Sequence, residues 1–68
     1  MESPKFHEAR VTCSFFQAVE TLNAQVSPCM YWLHNRVGGS DWYVTQRDGL
    51  NYIGLERPEQ LTFLLLKM

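Results

Sequence analysis

The chain has 68 residues, 46% of them hydrophobic and 13% aromatic, with six basic and seven acidic side chains and a formal charge of −1. So apolar a composition excludes intrinsic disorder and sets the expectation of one small globular domain over residues 1–68. The balanced charge excludes a broad electrostatic pull toward nucleic acid or an anionic membrane, and excludes a DNA mimic.

A chain this short hides only about 60% of the surface its unfolded form exposes, so modest stability is expected. Small scaffolds commonly lean on a disulfide, a metal or a partner. The start, MESPKFHEARVTC, lacks the basic head and unbroken apolar core of a signal peptide. The most apolar run, LTFLLL at 61–66, is far too short to cross a bilayer. The expectation is a cytoplasmic protein with no membrane partner, in which Cys13 and Cys29 are buried thiols and not a disulfide.

In chain order, KFHEARVTC comes first. His7, Ala9, Val11 and Cys13 share one parity, a weak strand pattern, whereas Ser3-Pro4 offers a helix start and HEAR favours helix. The strand is the reading adopted. Next, Ser14 and Gln17 have the spacing of a capping box, in which the hydroxyl accepts from a first-turn amide and the glutamine reaches back. Phe15, Ala18, Val19, Leu22 and Val26 then form one apolar stripe, and Pro28 ends it. A helix is predicted over 14–25.

Residues 31–54 hold both tryptophans, all three tyrosines and all four glycines. Asp48-Gly49 is the signature of a type I′ hairpin turn. It pairs Arg47 with Leu50, Thr45 with Tyr52, Val44 with Ile53, Tyr43 with Gly54, and Trp42 with Leu55. Gly38-Gly39, or the longer GGSD, is expected to close the preceding hairpin; the shorter form sets Arg36 opposite Asp41, His34 opposite Tyr43 and Leu33 opposite Val44. Side chains alternate across a strand, so the faces follow. Tyr31, Leu33, Val37, Trp42, Val44, Ile53 and Leu55 make the core face. Trp32, His34, Arg36, Asp41, Tyr43, Thr45, Arg47 and Tyr52 make the other.

After Pro58, EQLTFLLLKM is apolar at both parities. It reads as a strand buried on both faces or a short helix started by the proline, and the strand is favoured because such a run needs cover on two sides. The fold class is therefore α+β, a small antiparallel sheet of three to five strands with one helix packed on one face.

Motifs for chemistry are weak. His7, Cys13, Cys29 and His34 are metal-ligand types without the close pairing of a structural zinc site, so no metal or other cofactor is expected. Cys29 and His34 fall at opposite parity on one strand, which separates a would-be nucleophile from its base. Asp48 belongs to its turn, Glu56 and Glu59 flank Pro58, and Asp41 is expected to answer Arg36. Gly38-Gly39 lacks the lysine and helix of a phosphate loop. No enzyme activity is expected.

There remains the non-core face. Cross-strand aromatic contacts, with Tyr43 lying over Gly54, stabilise a sheet without any ligand, as does burial beneath a terminal segment. Tryptophan, tyrosine and arginine are also the types that carry most binding energy at protein interfaces. Trp32, His34, Arg36, Tyr43, Arg47 and Tyr52 are the expected binding residues. They point to a non-catalytic interaction module, a small regulator or inhibitor that binds a larger protein, with a second copy of the chain as the other candidate partner. The alternative is single-stranded nucleic acid, its bases stacked on the same rings.

Overall fold

Asp48 and Gly49 both take positive φ, 54° and 77°, and reverse the chain between two six-residue strands. The hairpin they close has the register predicted from that dipeptide, from Arg47 opposite Leu50 to Trp42 opposite Leu55. Around it stands an α+β domain, seen in a computed structural model that describes residues 6–68. The Ser3-Pro4 helix start lies outside the described residues.

The elements are β1 (His7–Val11), α1 (Phe15–Gln25), β2 (Tyr31–Trp32), β3 (Arg36–Gly38), β4 (Trp42–Arg47), β5 (Leu50–Leu55) and α2 (Pro58–Lys67). The strands form one antiparallel sheet in the order β1-β5-β4-β3-β2. The helix α1 carries the chain from one edge strand to the other, and β2 to β5 return across the sheet until β5 lies beside β1.

The start of α1 is set by Ser14, whose Oγ accepts from the Gln17 amide at 3.1 Å. The reciprocal half of the capping box is absent, because the Gln17 side chain donates to Thr21 Oγ1 instead. The predicted stripe faces the sheet: Ala18, Val19 and Leu22 are buried, and Phe15 and Val26 pack at its margin. They meet Val37, Trp42, Val44, Ile53 and Leu55, the five core-face residues predicted on β3, β4 and β5. The Trp42 indole N–H is satisfied by the Ser27 carbonyl at 2.9 Å.

The C-terminal run forms the helix α2, not the favoured strand. The physical reason is coverage. A helix is about 10 Å across and strands lie about 4.8 Å apart, so one helix roofs only about two strands. α1 packs over β4, while α2 packs over β1 and β5. Pro58 sits in the first turn with Glu59, and Lys67 in the last, charges that suit the helix dipole. Leu61, Leu64, Leu65 and Met68 turn toward the core at i, i+3, i+4 and i+7.

The β3–β4 turn falls within the longer GGSD and not at Gly38-Gly39. Gly39 N–H donates to the Trp42 carbonyl at 2.9 Å, which places Ser40 and Asp41 at the tip. Arg36 therefore lies opposite Thr45, not Asp41. The shift is even, so β3 keeps its predicted faces. Asp41 accepts from Ser27 Oγ at 2.7 Å instead and ties the hairpin to the loop after α1. Cys13 and Cys29 are free and half-buried, less enclosed than expected.

Candidate interaction surface

One register row crosses the face away from the helices: Glu8, Gly54, Tyr43, Gly38 and Tyr31, one residue from each strand. The glycines make it work. A Cβ at Gly54 would run into the Tyr43 ring, and one at Gly38 into Tyr31. With neither present, Tyr43 lies over Gly54 as predicted and its hydroxyl reaches across β5 to donate to Glu8 Oε2 at 2.6 Å. The residues so joined are 35 apart in sequence.

Arginines close the aromatic faces. The Arg36 guanidinium lies 4.0 Å from the Tyr43 ring centroid, and its Nε donates to Tyr31 Oη at 3.2 Å. The Arg47 guanidinium lies 4.4 Å from the Tyr52 centroid and donates to both oxygens of Glu8. Phe6 meets the Tyr43 ring edge-on, with centroids 5.2 Å apart. Tyr43 is left only 7% exposed.

The charges follow from these contacts. Arg47 beside Glu8 holds its carboxyl below the ordinary 4.5, helped by the Tyr43 hydroxyl and opposed by burial. Burial, then the Glu8 carboxylate, pushes the Tyr43 phenol up to about 12. Glu8 in turn raises the Arg47 guanidinium. At neutral pH Tyr43 is thus a protonated donor and Glu8 an anion holding three donated bonds. The set is an interlock that ties β1 to β4.

The six predicted binding residues do not form one patch. Arg36, Arg47, Tyr43 and Tyr52 share the open face, but Tyr43 is buried and Tyr52 is half-buried beneath Arg47. Trp32 and His34 are elsewhere. Leu33 N–H donates to the Arg36 carbonyl at 2.8 Å, which makes His34-Asn35 a tight turn and separates β2 from β3. Strand parity counted straight through from Tyr31 to Val37 does not survive this turn. Across the turn Tyr31 pairs with Gly38 and Trp32 with Val37. Tyr31 therefore belongs to the open face and Trp32 to the helix side, the reverse of their assignment. Leu33 is exposed and not part of the core.

At that sheet edge Trp32 is 61% exposed and flanked by exposed Met30 and Leu33. Met30, Leu33 (assigned to the core by strand parity) and the covering pair Phe6 and Glu8 lie outside the six predicted binding residues. A signal for the first two was present, since residues 26–35 contain no Asp, Glu, Lys or Arg. Among the described residues no three His, Cys, Asp or Glu side chains gather as a metal site, and no helix is long and apolar enough to cross a membrane.

The class these features define is an α+β domain with a five-stranded antiparallel sheet, two helices on one face and an arginine-capped aromatic layer on the other. Neither a family model, nor a curated protein, nor a solved structure matches the chain.

Proposed function

We propose that the chain is a non-catalytic interaction module, a small regulator or inhibitor that docks on a larger protein through the β2 edge, with Trp32 as the anchor. The observation that carries this reading is the exposed, uncharged cluster of Trp32 on the edge strand β2 with Met30 and Leu33 on either side of that strand. Exposed apolar side chains gathered in one patch mark interaction sites, and tryptophan is among the residue types most enriched at binding hot spots. His34 at the neighbouring turn supplies a polar group at the rim, while Arg36 stays on the opposite face over Tyr43. The interlocked Tyr43, Arg47 and Tyr52 hold the sheet beneath rigid, which lowers the entropy lost on binding. A cytoplasmic location goes with this reading, since both thiols are free.

Single-stranded nucleic acid has less support. Stacking needs an uncovered ring, and the Tyr43 and Tyr52 faces are occupied by guanidinium groups. The test is affinity capture with the intact chain beside Trp32→Ala, at low and high salt, with mass spectrometry of the bound material. The expected result is a protein held by wild type and bound roughly 30-fold more weakly by Trp32→Ala, with little salt dependence. Equal capture by a variant of normal circular dichroism removes the site. A nucleic-acid partner whose affinity falls by about one logarithmic slope unit per phosphate contact replaces the reading.

A further inference from the structure

The two ends of the sheet are unlike. At one, β2 offers two residues before the His34-Asn35 turn, too few for a backbone ladder. At the other, β1 runs five residues in unbroken register with β5, the usual length of a strand, and among the described residues nothing pairs with its outer side. Proline and bulges, common devices for closing an edge, are absent from HEARV, and its two charges, Glu8 and Arg10, are of opposite sign.

We propose that β1 pairs antiparallel with β1 of a second copy, about a two-fold axis at Ala9, to make one continuous ten-stranded sheet. Three observations converge on a second copy as the occupant. First, the edge is self-complementary in charge. With Ala9 on the axis, Glu8 faces Arg10 of the second copy and Arg10 faces its Glu8, an isologous pair of attractions. Arg10 has no ion-pair or side-chain hydrogen-bond partner among the described residues. Glu8 has capacity to spare, because a carboxylate offers about four acceptor positions and three are taken by Tyr43 and Arg47.

Second, the helix layer continues the seam. Leu61, Leu64, Leu65 and Met68 face the core, while Phe63 borders the cleft beside Asp41 and Lys67 the cleft beside α1. At about 100° per residue, Thr62 then falls on the flank of α2 turned away from α1, and Leu66 between that flank and the outer surface of the helix. Leu66 is 82% exposed, an apolar side chain left in solvent on the side of α2 away from α1. Third, Ala9 shares the helix side with Ile53 in its register row, and its small side chain leaves room for the two α2 helices to approach. The seam and the Trp32 edge lie at opposite ends of the sheet, so the dimer carries two docking edges at its far ends.

Sedimentation equilibrium of the full chain tests this. The expected wild-type result is a concentration-dependent species of twice the 8.0 kDa chain mass. Arg10→Glu sets like charges against each other twice at the seam and is expected to raise the dimer dissociation constant at least about tenfold. Leu66→Glu is expected to act in the same direction. Trp32→Ala is expected to leave the mass unchanged, and circular dichroism confirms the fold of each variant. A chain monomeric up to about 1 mM overturns the proposal. So does a dimer indifferent to both seam substitutions, or one abolished by Trp32→Ala.

Discussion

Glu8 is the residue on which the open face turns. It receives the Tyr43 hydroxyl and both arms of Arg47, and so joins an edge strand to one two strands away. Its carboxyl is held below 4.5 in the folded chain. A depressed folded value means that this contribution to stability is complete above 4.5 and lost as pH falls through the lower folded value. Tyr43 works in the opposite sense. Its phenol is raised from 10.0 to about 12, so its contribution is complete below 10.0 and lost as pH rises toward 12. Glu8→Gln is expected to cost about 1–2 kcal/mol at pH 7 and to flatten both limbs of the stability–pH profile. Urea unfolding at a series of pH values measures it; a profile unchanged at both ends contradicts the interlock.

At the scale of elements, the hairpin β4–β5 shows two glycines with different duties. Gly49 is there for its backbone, at φ 77° with open space where a Cβ would stand. Gly54 is there for what lies above it, the Tyr43 ring. Substitution by alanine separates the two cases. Gly49→Ala is expected to cost about 1 kcal/mol through conformation alone. Gly54→Ala must lift the ring, disturb its bond to Glu8 and expose Phe6, and is expected to cost about 1–3 kcal/mol, as overpacking does. Thermal unfolding compares them, and a larger loss at Gly49 would refute the account of Gly54.

Taken whole, the molecule is a sheet covered twice by different means: packed helices on one side, arginine-capped rings on the other. The helix side carries the burial energy. Leu64 is 1% exposed and is the residue through which α2 enters the core cluster. Leu64→Ala is expected to cost about 2–5 kcal/mol, against a total of about 5–15 kcal/mol for an ordinary domain and toward the low end for one so small. Tryptophan fluorescence and circular dichroism should report the loss as one shifted transition, because α1 and α2 share that cluster. Two separate transitions would show that α2 is an independent appendage.

What the amino-acid order determined by itself is what neighbours in sequence decide. Ser14, the apolar stripe and Pro28 delimit α1 within a residue, and Asp48-Gly49 fixes the β4–β5 register because a two-residue turn leaves no slack. The core face of β4 and β5 follows from that turn and the two-residue strand period, and β3 keeps its face because its register shifts by an even number of residues. Tertiary structure decided the rest. Gly38-Gly39 resembles a turn, yet the chain reverses two residues later, since Gly38 is needed beneath the Tyr31 ring. The run after Pro58 became a helix because two strands lacked a roof, a need no local pattern states. Tyr43 was buried by Phe6 and Glu8, brought from the far end of the chain, and Trp32 changed sides at a turn of two residues. Local steric rules are written in adjacent residues, whereas cover for a face depends on which distant segment arrives to supply it.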